Sequence, residues 1–216
     1  MKSPRILSIL ALLSLTSLLT AADWPQWRGP NRDGVWTETG LIEKFEGDTI
    51  PIKWRVSIGN GYNSPTVADG RVYVMDLQAR PAHIERVLCF DAMTGDPIWS
   101  QQYECRYSKV GYADGPRASV LIDDNRAYSL GTMGHMYCFD AAKGNIIWSK
   151  DLKSEYRIKV PVWGVAVSPV IEDDMIIAQI GGTPNACIVA LDKTTGQPRW
   201  HAIEDRPSYS PPIVIN

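Results

Sequence analysis

The chain has 216 residues, 44% hydrophobic and 21% charged, enough to bury the core of one or two globular domains. Its 22 basic and 24 acidic residues give a net charge of −2, which offers no basic surface to nucleic acid or to an anionic membrane. Eight Trp, 17 Gly and 15 Pro, with no apolar period of 3.6 after residue 20, exclude a helical bundle and indicate short strands and many turns.

Residues 1–22 read as a secretory signal peptide. Lys2 and Arg5 supply the positive start, and Ile6 to Leu19 is an apolar stretch too short to span a bilayer comfortably. Thr20-Ala21-Ala22 offers small residues for cleavage before Asp23. The first Cys is Cys89, so no cysteine stands at the cleavage site to carry a lipid. The mature chain is expected in the periplasm or outside the cell, without a membrane anchor. Its charge would be −4, because Lys2 and Arg5 leave with the leader.

Residues 23–52 form an irregular segment. Asp23-Trp24-Pro25-Gln26-Trp27-Arg28-Gly29-Pro30-Asn31 is too rich in Pro and Gly for a regular element, and its Trp residues read as clamps onto the body. Lys53-Trp54-Arg55-Val56-Ser57-Ile58 reads as a lone strand with a Trp. Then Asp69-Gly70 separates two alternating apolar runs, a strong hairpin signal. Asp124-Asn125 and Asp173-Asp174 occupy matching places further on.

A second pattern recurs in step with the hairpins. Asp91, Gly95 and Trp99 return as Asp140, Gly144 and Trp148, and again as Asp192, Gly196 and Trp200. The Trp positions are 49 and 52 residues apart. Such a period marks a repeat architecture. The Asp can cap a tight turn, and the Gly supplies positive φ. Pro97 and Pro198 open the strand that follows, which places that strand at a sheet edge. Each repeat therefore predicts four antiparallel strands, over residues 64–103, 117–152 and 167–203, with another start at 210. Four-stranded repeats of this length indicate an all-β propeller, with about three whole blades in residues 53–216.

The repeats lack the Trp-Asp pair of one propeller class, and only Gly181-Gly182 meets the paired-Gly rule of another. The pattern apolar–x–Asp–x–x–Thr–Gly–x–x–x–Trp resembles the pyrroloquinoline-quinone (PQQ)-like repeat. Asp91, Thr94, Gly95 and Trp99 match it, as do Asp192, Thr195, Gly196 and Trp200; the middle copy carries Lys143 for Thr. The start Trp-Pro-Gln-Trp-Arg-Gly-Pro-Asn is similar to that of many secreted bacterial proteins of this kind. The resemblance implies the propeller of quinoprotein alcohol dehydrogenases and of the outer-membrane assembly lipoprotein. It implies that Trp54, Trp99, Trp148 and Trp200 pack between blades. It also implies that a stray N-terminal strand completes the last blade of a closed ring. Three blades do not close a ring, so the sequence reads as an N-terminal fragment that needs missing blades or a second copy.

The resemblance brings PQQ and Ca²⁺ as family cofactors, but the residues themselves support neither. The disulfide between adjacent Cys that the dehydrogenases hold against the quinone has no counterpart in Cys89, Cys105, Cys138 and Cys187. The spacing of these four specifies no pairing. His83, His135 and His201 form no zinc motif, and no catalytic residue is assigned. What remains is a surface. The links between blades belong at the central funnel of a propeller. Here they carry Asn60, Tyr62, Asn63, Tyr107, Tyr112, Asp114, Arg117, Trp163, Arg206 and Tyr209. Aromatic groups beside amides and charges suit a protein, peptide or sugar ligand, and equally suit stacking that plugs the channel. A non-catalytic binding or assembly scaffold is the first reading. The N-terminal part of a PQQ-dependent alcohol or sugar dehydrogenase is the alternative.

Overall fold

The computed structural model describes residues 22–45, 47, 49–111 and 114–215. Residues 1–21, nearly all of the expected signal peptide, and the link residue Tyr112 lie outside the described residues.

Three four-stranded antiparallel sheets make up the described body. The first holds β1 (Thr66–Ala68), β2 (Arg71–Gln78), β3 (Ile84–Asp91) and β4 (Pro97–Glu104) in that order. The second holds β5 (Leu121–Asp123), β6 (Arg126–Leu130), β7 (His135–Asp140) and β8 (Ile146–Asp151). A single turn of helix, α1 (Leu152–Glu155), follows, with Asp151 capping the Ser154 N–H. The third sheet holds β9 (Val170–Glu172), β10 (Met175–Gly182), β11 (Ala186–Asp192) and β12 (Pro198–Ala202). These are three blades of a propeller ring. The strands that open with Pro97 and Pro198 are both sheet edges, where a missing N–H costs no ladder bond.

The two turn types form as their chemistry requires. Asp69 and Gly70 both take positive φ, as do Asp124 and Asn125. In the third hairpin only Asp173 does, which fits the poorer tolerance of Asp for that region. In the second turn, Asp91 Oδ1 accepts from the N–H groups of Met93 and Thr94 at 2.8 and 2.9 Å. Asp140 does the same for Ala142 and Lys143, and Asp192 for Thr194 and Thr195. Those bonds hold the Asp91 carboxyl below its usual range. At Asp192 the Thr195 N–H, and after it Arg199, bring the value down to about 2.

The core lies between blades rather than within any one sheet. Tyr73, Met75, Val87 and Cys89 of the first blade pack on Ile122, Ala127, Phe139 and Ala141 of the second. Tyr128, Leu130, Met136 and Trp148 of the second pack on Ile176, Ala178, Val189 and Leu191 of the third. One device repeats at each junction. The Trp99 indole N–H donates to Ala141 O at 2.9 Å, and the Tyr73 hydroxyl donates to the same oxygen at 3.1 Å. One blade on, Trp148 and Tyr128 both donate to Lys193 O, at 3.1 and 3.0 Å. The indoles lie flat on Gly144 and Gly196, where an added Cβ would sit 2.6 and 2.8 Å from ring carbons. Gly at those turns thus serves both positive φ and close approach.

Residues 53–58 do not pair as a strand, against the sequence reading. Sheet pairing needs a neighbour, and the described residues offer none there. The Trp54 side chain nevertheless takes the repeat position. It lies against Gly95 and donates to Ala92 O at 3.1 Å. Trp200, at the matching place in the third blade, is 41% exposed.

Residues 24–32 cross the first strands of the blades. Trp24 and Val67 of β1 exchange both main-chain bonds, at 2.7 and 3.0 Å. Ile122 of β5 donates to Pro25 O at 2.8 Å. The buried Arg32 guanidinium donates to Pro169 O and Ser168 O, just before β9, at 3.0 and 3.3 Å. A serine relay runs beside it: Ser64 N donates to Ser119 Oγ, and Ser119 N to Ser168 Oγ, at 3.1 and 2.9 Å.

All four Cys are free and buried. Burial pushes the Cys89 thiol up to about 11 and the Cys138 thiol up to about 12, against nearby arginines that act the other way. Both therefore stay protonated at pH 8, and a thiol-specific disulfide reagent should label them only as fast as the chain unfolds. The sign for stability follows. Unfolded thiols ionise from an ordinary value near 9 while the folded ones do not. Stability from this source is complete below pH 9 and falls as pH rises towards 11. Urea midpoints at pH 8, 9.5 and 10.5 would measure the loss, and Cys89→Ser with Cys138→Ser should reduce it, leaving the share that burial of the Cys105 thiol contributes.

Candidate functional site

The links between blades gather on one face. Residues 59–65 lead into β1, 105–120 into β5 and 156–169 into β9, and 203–212 leave the third blade. Within them Arg117, Trp163, Ala166 and Tyr209 line a cleft of about 300 Å³. The Trp163 and Tyr209 rings lie 4.8 Å apart at 37°, and the Trp163 N–H donates to the Tyr209 hydroxyl at 3.1 Å. Arg117 sits 5.4 Å over the Tyr62 ring, a cation–π contact. Tyr62, Trp163 and Tyr209 are all exposed. Four of the residues singled out in the sequence are therefore brought together from all four links.

The others are placed differently. Asn63 spends its amide on the main chain: Oδ1 accepts from Met75 N at 3.0 Å, and Nδ2 donates to Met75 O at 2.7 Å. A side chain here completes the pairing that a strand would make. Asn60 exchanges main-chain bonds with Leu77 at 3.1 and 2.7 Å. Both fix the link against β2. Asp114 faces His83 at 3.7 Å. Arg206 lines a separate open hollow of about 560 Å³ with Lys159, Glu204 and Asp205.

Beneath the cleft lies a buried polar network that the sequence did not disclose. Glu85 of β3 is fully buried. Its carboxylate accepts from the hydroxyls of Tyr103 and Tyr107, each at 2.5 Å, and from Thr132 N at 3.1 Å. Thr132 Oγ1 reaches Gly115 O at 3.1 Å, and Arg117 Nη1 lies 3.5 Å from Thr132 Oγ1. Burial first, and the Glu85 charge second, raise the Tyr103 and Tyr107 hydroxyls above their usual range. These tyrosines thus stay protonated donors, and their hydroxyls and the Thr132 N–H lock the Glu85 side chain in the scaffold. The network ties the link that carries Arg117 to two blades at once. An isolated Glu within an apolar strand gives no sign of this, because its partners lie 18 to 47 residues away.

A PQQ-like repeat family model, described as outer membrane protein assembly factor BamB, matches residues 83–214, well over half of the chain. The chain belongs to this family. No curated protein matches the sequence. Among solved structures, a quinohemoprotein alcohol dehydrogenase from Comamonas testosteroni aligns with a TM-score of 0.57 and 21% identity, over 83% of this chain and 27% of that one. A second, from Pseudomonas putida HK5, aligns with a TM-score of 0.50 and 22% identity, over 67% of this chain and 20% of that one. BamB from Moraxella catarrhalis aligns with a TM-score of 0.40 and 22% identity, over 65% and 34%. The chain thus spans about a quarter or less of the two dehydrogenases. At these identities the dehydrogenases attest the propeller fold alone.

The PQQ-like family raises the question of a quinone held with Ca²⁺. Such a seat needs carboxylate and amide oxygens converging on one point. Among the described residues no three His, Cys, Asp or Glu side chains converge in that way. At the cleft the charged group is a guanidinium, and the nearby Asn63 amide is already committed to Met75. These residues do not fit a calcium–quinone pair. Among the described residues no helix is long and apolar enough to cross a membrane.

Proposed function

We propose that this PQQ-like propeller is an exported, non-catalytic scaffold that binds a polypeptide or sugar segment at its link face. The cleft of Arg117, Trp163 and Tyr209, with Tyr62 beside it, carries the reading. Two exposed rings supply flat apolar area at low entropic cost, and one guanidinium, held by Gly115 O and lying over the Tyr62 ring, supplies a positioned positive charge. These four side chains include no carboxylate, imidazole or thiol. The signal-like leader supports export, and the family described by an assembly factor supports a protein partner.

The test is fluorescence titration against arrayed acidic peptides and oligosaccharides, in parallel with PQQ plus Ca²⁺. Binding of a peptide or sugar that Arg117→Ala and Trp163→Ala each weaken about tenfold is the expected result. Replacing a stacked or cation–π partner should remove about 1–2 kcal/mol of binding. Stoichiometric uptake of PQQ in the presence of Ca²⁺ would instead favour the dehydrogenase reading.

A further inference from the structure

The segment that crosses the first strands is attached to the body mainly through main-chain recognition. Val67 presents both its N–H and its C=O to Trp24, and Ile122 presents its N–H to Pro25. Val67 and Ile122 occupy matching registers, opposite Val72 and Ala127. The far anchor is a side chain, Arg32, on the two carbonyls before β9. This is strand addition along the free edges of first strands, closed by one charged clamp.

The segment also orders itself. Gly29 N bonds Gln26 O, Arg32 N bonds Gly29 O, and Gly34 N bonds Arg28 O, at 3.0, 3.1 and 2.9 Å. Arg28 and Arg32 both lie over the Trp27 ring, at 5.4 and 5.8 Å. A ligand folded on its own contacts loses less freedom when it docks. Past it the chain stops packing: every described residue from Thr39 to Lys53 is exposed, including Leu41, Ile42, Phe45, Ile50 and Ile52. A preorganised loop thus sits at the end of a loose tether.

We propose that the free edges of β1 and β5, with the carbonyls of Ser168 and Pro169, form a peptide-binding groove whose occupant is this chain's own Trp24–Arg32 segment. Its ligand class is an extended peptide with Trp-Pro at its start and an arginine eight residues after the Trp. The tether holds the occupant at a roughly millimolar effective concentration, which shuts out the same motif offered in solution. The groove is separate from the link-face cleft and does not depend on it.

The experiment uses the full chain with a sequence-specific protease site placed at Gly40, cut after folding. A fluorescent peptide of residues 22–36 is then added. The expected result is one peptide bound per cut body with micromolar affinity, at least tenfold weaker binding of the Arg32→Ala peptide, and no binding to uncut chain. Three outcomes would overturn the proposal. The cut segment stays bound and never exchanges; the body loses its β-sheet circular dichroism on cutting; or the Arg32→Ala peptide binds as tightly as the original.

Discussion

Trp148→Ala should lower stability by about 3–5 kcal/mol, the cost of emptying a buried aromatic site. The indole is 8% exposed, lies on Gly196 and donates to Lys193 O, so its removal opens a cavity between two blades and strips that carbonyl of one of its two donors. Trp200→Ala removes the same letter of the same repeat and should cost about 1 kcal/mol or less, in the range of a surface change. Trp200 is 41% exposed and opens no cavity when removed. Urea unfolding followed by circular dichroism would measure both. Equal losses would mean that Trp200 is covered in solution, and the partner covering it would then be sought by light scattering.

The second large effect pairs two glycines of nearly equal φ. Gly144 has φ +75 and Gly70 has φ +71. Gly70→Ala should cost about 1–2 kcal/mol, the price of a Cβ in the left-handed region. Gly144→Ala carries the same backbone strain and also drives a methyl to 2.6 Å from the Trp99 ring. Overpacking adds about 1–3 kcal/mol, for a total of about 2–5. Nothing lies within 4 Å of a Cβ at Gly70, so that site isolates the backbone contribution. Closely similar midpoints for the two variants would show that the indole is not held against Gly144.

The contrast between these pairs marks what the sequence could and could not disclose. Asp91, Gly95 and Trp99 were readable because each acts through its own side chain or its own φ, at fixed offsets. The Tyr73 and Tyr128 hydroxyls do similar work, yet the third blade has Ile177 at that register and the pattern breaks. Their acceptors are carbonyls, which every residue has and no letter records. Arg32 was invisible for the same reason, since its partners are the main-chain oxygens of residues 168 and 169. In the cleft, Arg117, Trp163 and Tyr209 stood out as large groups in links. Asn63 stood out equally, but its amide is bonded inside the scaffold, to the main chain of Met75; at Asn60 the main chain alone makes the bonds to Leu77 and the residue is exposed. Composition alone cannot tell an offered amide from one already in use.

The junction device also has a direction. The first and second blades give indole and hydroxyl forward, and the second and third receive the preceding indole on their own glycine turns. Giver and receiver are different groups: an indole and a hydroxyl on strands of one blade, and a carbonyl and a glycine in a turn of the next. A duplicated blade would therefore arrive with both halves of the joint already in place, and neighbours on either side would accept it without change. Energy that is local to such joints lets the number of units drift by unequal copying while every joint stays the same. Length in such a lineage is thus a loose variable and the joint a fixed one, so related chains should differ first in how many blades they contain.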